Sequence, residues 1–309
     1  MIRAGAAVIG LAGALAVPLS GQQPQIFRGG TDVVSLSVTV VDQQGRFVSG
    51  LTPADFEVYE DGVRQTITQF ASDAQPVALS LLVDTSTSME PHMAVAQKAA
   101  VGFVQRLGPM DVAQILDFDS QATIVQQYTG EQAALEAAIR KLQAGGSTSL
   151  YTALYLVLRG SEYKAGGQSE SAIRRWAIVV LSDGEDTTSR LDYETVLEES
   201  KRSDFTVYAI GLREKKPPEQ RGYQESEFVL RTLSQETGGR VFFVEDAAQL
   251  PAIYQQISEE LNNQYTLGYT STNLARDGKW RRLQLRVTRP DTTARTRTGY
   301  FGPKDPGRR

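Results

Sequence analysis

The chain has no cysteine among its 309 residues. A disulfide framework and thiolate metal sites are therefore excluded. A dominant charge is missing too: 32 Lys and Arg face 36 Asp and Glu, a formal net charge of -4. Nucleic-acid binding needs a basic surface, so nucleic acid is not an expected partner. The last residues, Lys304 to Arg309, are locally basic, and with Pro303, Pro306 and Gly307 they read as a solvated tail (residues 303–309). No Rossmann fingerprint, phosphate-binding loop or catalytic triad appears. What remains is a globular composition, 41% apolar and 22% charged, with enough material for a real core.

The N-terminus has a distinct layout. Arg3 precedes an uncharged run rich in Ala, Gly, Leu and Val from Ala4 to Leu19, and Ser20, Gly21 and Gln22 follow. This is the pattern of a secretory signal peptide over residues 1–21, with an uncleaved anchor as the alternative. No cysteine follows for a lipid anchor, and no later stretch approaches membrane-spanning length. The expected location is secreted or periplasmic, with no transmembrane segment once the signal is removed.

Three segments follow. In residues 28–75, Val34, Leu36, Val38 and Val40 alternate with polar residues, the period of a half-buried strand. Thr52-Pro53 suits the start of one helical turn. Phe56 to Tyr59 reads as a second strand, Asp61-Gly62 as a hairpin turn, and Thr66 to Phe70 as the return. In residues 77–262, strands alternate with helices. Apolar runs at Val77–Val83 and Trp176–Leu181 are strands covered on both faces. Helical spacing marks Ala96 to Leu107, Leu135 to Leu142, Leu150 to Leu158, 192–203, 226–236 and Leu250 to Leu261. The expected fold class is α/β, a doubly wound and mostly parallel sheet. Residues 264–302 revert to alternating strands, the last near Ala294 to Tyr300. Each flank is too small for its own core, so the simplest solution is one antiparallel β-sandwich with the α/β domain inserted. Two separate small sheets are the alternative. Residues 213–224, with Pro217-Pro218 and many charges, read as a surface loop.

Oxygen donors cluster where strands end. Asp84, Ser86 and Ser88 follow the first buried strand as Asp-x-Ser-x-Ser. Alternate residues of an extended loop project to one side, so one carboxylate and two hydroxyls converge. Asp183 ends another buried strand, and the loop from Gly145 to Ser149 precedes a helix. In open α/β sheets, ligands bind beyond the carboxyl ends of the strands. The donors are hard oxygens, suited to magnesium, manganese or calcium rather than zinc. Each part alone is a common turn or cap; their conjunction is what points to a cation.

Together these parts resemble the metal-ion-dependent adhesion site of von Willebrand factor A domains and integrin inserted domains. The resemblance covers residues 77–262 and implies a Mg2+ (or Mn2+/Ca2+) site at Asp84, Ser86, Ser88, Thr148 and Asp183. Ser147 is the nearest rival to Thr148. The stretches Asp55 to Gly62 and Tyr265 to Tyr269 also resemble the flanks of bacterial secreted proteins carrying such domains.

The resemblance implies a non-enzymatic protein-binding module, in which a partner's Asp or Glu completes the coordination. It also implies that binding moves the last helix of the domain. Two rivals stand beside this reading. A metal-bound water could support hydrolysis, with His92, the only histidine, near the loop. Alternatively the metal only stabilises the fold. Glu90, Glu185 and Asp186 read as surface charges. Arg281, Arg282, Arg286, Arg295 and Arg297 read as solvated residues on an exposed sheet face. Trp176 and Trp280 read as packing residues.

Overall fold

The computed structural model describes residues 33–164, 174–183, 186–213 and 225–304. The stretch expected to be a signal peptide (1–21), nearly all of the charged loop (214–224), Glu185 and the end of the tail (305–309) lie outside the described residues.

The central sheet has six strands: β5 (Val77–Asp84), β6 (Val112–Phe118), β7 (Ala122–Thr129), β8 (Arg175–Ser182), β9 (Phe205–Leu212) and β10 (Val241–Val244). Their order is β10-β9-β8-β5-β6-β7, parallel except for the β6–β7 hairpin. Every residue of β5 and β9 is buried, because helices cover both faces. On one face α1 (Met93–Val104), α2 (Gln132–Arg140) and α6 (Leu250–Asn262) pack Phe103, Leu135 and Ile257 against Leu79, Leu81 and Ile115. On the other, α3 (Leu150–Lys164), α4 (Tyr193–Arg202) and α5 (Glu225–Glu236) pack Leu154, Val196 and Leu233 against Leu82, Ile178 and Val207. This is the expected doubly wound α/β fold.

The flanks form two four-stranded antiparallel sheets, and each sheet mixes strands from both ends of the chain. One has the order β13-β1-β11-β4, with β1 (Val33–Asp42), β4 (Ile67–Ala71), β11 (Tyr265–Thr270) and β13 (Thr292–Arg295). The other has the order β14-β12-β2-β3, with β2 (Phe56–Glu60), β3 (Val63–Gln65), β12 (Trp280–Val287) and β14 (Gly299–Phe301). They enclose one apolar core that includes Leu36, Val38, Phe56, Val58, Leu267 and Leu283. The strands therefore make a shared sandwich, as core size requires. Asp61 and Gly62 both take positive φ, 48° and 83°, the turn geometry that matches the twist of a two-residue hairpin.

Two expected strands divide. The return after Asp61-Gly62 is β3, and β4 belongs to the opposite sheet. The crossing occurs at Gln65, whose buried amide bonds Thr272 through both its oxygen and its nitrogen. The final strand likewise splits into β13 and β14, in different sheets. Between them Arg297 donates to the carbonyls of Lys201 and Ser203, and Thr298 N to Glu236 O, drawing the chain onto α4 and α5.

Three of the C-terminal arginines correct the expectation of a solvated basic face, whereas Arg282 and Arg286 are exposed as expected. Arg281 is buried and pairs with the equally buried Glu60 at 3.4 Å. Arg297 pairs with Asp204 at 3.0 Å, and Arg295 pairs with Glu260. Glu260 lies in the last turn of α6 and also accepts from Thr39 Oγ1 at 3.1 Å and Tyr208 Oη at 2.9 Å. Arg175 donates to the carbonyls of Leu261 and Gln264 at 3.0 and 2.8 Å. Polar bonds thus join the end of α6 to the sandwich, at the opposite end of the sheet from the Asp84 loop. Trp176 packs between Tyr128 and Phe205, and Trp280 against Phe301, as packing residues do.

Buried phenols predict alkaline sensitivity. Burial pushes Tyr128 up to about 12, against a partial counter-effect from its hydrogen bond with Ser80, and burial also raises Tyr254. Unfolded tyrosines ionise near pH 10, so the folded phenol holds its proton longer than the unfolded one. Its contribution is present below pH 10 and is lost as pH rises toward 12. Each pH unit in that window costs about 1.4 kcal/mol per such tyrosine. Urea midpoints taken across this range check it: a fall beginning near pH 10 is expected, with Tyr128→Phe showing a shallower slope.

Candidate metal site

β5 ends on Asp84 and β8 on Ser182, and the two strands are adjacent, with Val83 paired to Leu181. Their loops leave the sheet side by side at its carboxyl edge, where the strand order reverses. Asp84 is fully buried. Its Oδ1 accepts the Ser86 backbone N–H at 2.9 Å, and its Oδ2 accepts the Ser182 hydroxyl at 2.6 Å. The Ser86 and Ser88 hydroxyls are 3.0 Å apart, and Ser88 donates to Asp183 Oδ1 at 2.9 Å. Asp84, Ser86, Ser88 and Asp183 are thereby joined in one polar chain.

The glycine-rich loop is laced to this chain by backbone. Gly145 N donates to Thr85 O at 2.7 Å, and Thr87 N and Oγ1 both donate to Gly146 O, at 3.2 and 3.0 Å. Gly146 has φ +73°, and a Cβ there would meet Ser120 Oγ at 2.6 Å, so this approach needs glycine. Thr148 is buried; its N–H donates to Thr187 Oγ1, and its carbonyl accepts from Thr187 N and Thr188 N. Its described bonds run through the backbone, so its hydroxyl is not part of the four-residue chain. Ser147 is exposed, and its N–H turns toward Ser120 Oγ at 3.0 Å.

Burial pushes the Asp84 carboxyl up. Hydrogen bonds from Ser182 and Ser86 pull it back, and the charge on Asp183 adds to the rise. Two carboxylates in one partly dry pocket oppose each other's ionisation, and a shared divalent cation would relieve both costs. Among the described residues no three His, Asp or Glu side chains form a group able to hold a metal. A cation here must therefore draw on the serine and threonine hydroxyls beside the two carboxylates. Such a donor set fits a hard ion that keeps several waters.

Two contributors escaped the sequence reading. Ser182 precedes Asp183 and had a local signal, a hydroxyl closing an otherwise apolar strand. Asp186 had none, because it acts across the chain. It is not a plain surface charge: its Oδ2 accepts Tyr151 N at 2.7 Å in the first turn of α3, and its Oδ1 accepts Ser189 N at 2.9 Å. Asp186→Ala should cost about 0.5–2 kcal/mol, the range for a lost helix cap, measured as a shift in denaturant midpoint. His92 is half-buried at the start of α1; its N–H donates to Met89 O at 2.9 Å, and its carbonyl accepts Ala96 N.

No curated protein matches the chain. A solved von Willebrand factor type A protein from Catenulispora acidiphila is similar in fold, with 13% identity and a TM-score of 0.51 over 91% of this chain and 77% of that one. The vWF domain of the type V pili tip protein Mfa5 from Porphyromonas gingivalis is 13% identical, with a TM-score of 0.47 over 61% of this chain and 96% of that one. Proximal thread matrix protein 1 from the mussel byssus, solved with a zinc-occupied MIDAS motif, is 16% identical, with a TM-score of 0.48 over 65% of this chain and 49% of that one. The family model of the von Willebrand factor type A domain matches residues 79–256. With that match spanning more than half of its length, the chain belongs to the von Willebrand factor type A domain family.

Proposed function

We propose that this chain is an exported docking module. It holds a divalent cation, magnesium or its relatives manganese and calcium, through Asp84, Ser86, Ser88, Thr148 and Asp183, and binds a protein partner by an Asp or Glu side chain. Domains of this family generally mediate protein interactions. Among the described residues no helix is long and apolar enough to cross a membrane.

The observation that carries the reading is the polar chain from Asp84 to Asp183 at the carboxyl edge of the sheet. When bound, the cation supplies an electrophilic centre with exchangeable positions. Asp84 is held by Ser86 N and the Ser182 hydroxyl, so it is oriented before any ligand arrives. Ser86 and Ser88 add neutral oxygens, and neutral donors leave more of the cation's charge for an incoming carboxylate.

The test uses immobilised peptides bearing one Asp in a Gly/Ser background, with Asn in its place as control. Binding of the Asp peptide in magnesium, lost in EDTA and with Asn, is the expected result. Equal binding of both peptides would remove the docking reading. Magnesium-dependent stabilisation without peptide binding would leave only a structural role for the ion.

A further inference from the structure

One edge of β1 is only half covered. On one side β11 pairs with Val33 to Val38, and on the other β13 pairs with Thr39 to Asp42 alone. β13 ends at Arg295, and Arg297 then draws the chain away onto α4. Val40 O and Asp42 N bond residues 48 and 46 on the side away from β13, so odd-numbered residues of β1 turn their N–H and C=O toward the β13 side. Among the described residues, nothing on that side bonds the backbone of Val33 or Ser35. A sheet edge left open in this way is a template for another strand.

The open edge lines a cleft of about 250 Å³, whose other walls are β14, the β11–β12 connection and the end of α4. Four arginines and one aspartate line it, so it favours an anion. Arg281 and Arg297 are committed to Glu60 and Asp204. Arg202 keeps capacity for a ligand. Its guanidinium lies 4.0 Å from the Phe301 ring centroid and its Nη2 pairs with Glu198 at 2.5 Å, but its Nε and Nη1 have no partner among the described residues. Apolar surface accompanies the charge: Leu274 is 85% exposed and Val33 44%. A small anion would use the arginine and leave both the strand edge and Leu274 bare. An extended acidic peptide uses all three.

We propose that a partner protein adds an extended segment to this edge of β1, in line with β13, and sets a Glu or Asp side chain on Arg202 and an apolar side chain on Leu274. Arg202 and Asp204 lead into the amino end of β9, so the cleft lies at the opposite end of the central sheet from the Asp84 loop. Binding here needs no cation, and the proposal is independent of the docking reading above.

The test is a panel of labelled hexapeptides of alternating Thr and Val, with one Glu at each position in turn, titrated into the full chain by fluorescence anisotropy. The best should bind equally in EDTA and in magnesium, and about tenfold more tightly than its Gln counterpart, the ratio that one charge-assisted hydrogen bond supplies. Arg202→Gln should remove that ratio and leave the Gln peptide unchanged. Hydrogen exchange should find the Val33 and Ser35 amides unprotected in the free chain and protected in the complex. No binding by any peptide, a Glu-to-Gln ratio that survives Arg202→Gln, or binding without protection of those two amides would overturn the proposal. Binding lost in EDTA would assign the peptides to the candidate metal site and overturn it too. Protection of Val33 and Ser35 in the free chain would show the edge already covered, by this chain or a second copy, and would equally overturn it.

Discussion

Magnesium at one hundred times its dissociation constant should stabilise the wild-type chain by about 2.7 kcal/mol and leave Asp84→Asn unmoved. For an α/β domain of this size, that energy raises the melting temperature by on the order of 5–10 °C. The substitution keeps the shape of the side chain and an oxygen that can accept the Ser86 N–H. What it removes is the buried charge. Since burial and the neighbouring Asp183 both disfavour that charge, the metal-free variant should be at least as stable as the metal-free wild type. A calorimetric scan of both proteins, with and without magnesium, separates a lost ion from a lost fold. An equal shift in the two would place the cation elsewhere.

The second large effect belongs to the sandwich. Arg281→Met should destabilise the protein by about 3–5 kcal/mol, because it strands the buried Glu60 carboxylate. Glu60 accepts from Tyr269 Oη and Tyr300 Oη at 2.8 Å each and from Ser271 Oγ at 2.7 Å, all inside the sandwich. Arg281 in turn donates to Asn273 O at 2.9 Å, tying down the turn before β12. Glu60→Met in the Arg281→Met background should restore part of the loss, since replacing both charges leaves neither unpaired. Urea unfolding of the two singles and the double provides the cycle. Additive losses would show that Glu60 and Arg281 act separately.

The alternation of strands and helices in residues 77–262 was legible because each element satisfies a local period. α4 and α5, Tyr193–Arg202 and Glu225–Glu236, fall within one residue of the bounds the sequence suggested, 192–203 and 226–236. The joint sandwich was also legible, but through an argument about core size rather than any pattern in one segment. What local pattern could not reveal was the crossing of the chain between sheets at Gln65 and at Arg297. Those crossings are fixed by side chains reaching partners more than 90 residues away. Arg281 was misjudged against a local signal: alternation along β12 puts it on the inward face with Leu283, where its carboxylate partner arrives from β2. At the candidate site two loops announced themselves by residue type at strand ends, and the third by its glycine-rich run before a helix. Asp186 did not, because the N–H it accepts, that of Tyr151 in the first turn of α3, lies 35 residues earlier in the chain.

The central claim is that Asp84 and its neighbours hold a cation. It is tested most directly by calorimetric titration of magnesium and manganese into the wild-type chain and Asp84→Ala, with circular dichroism to show that both are folded. Saturable binding in the wild type and none in the folded variant is the predicted result. A folded wild type that takes up neither ion, or a variant that binds as well as the wild type, would contradict it.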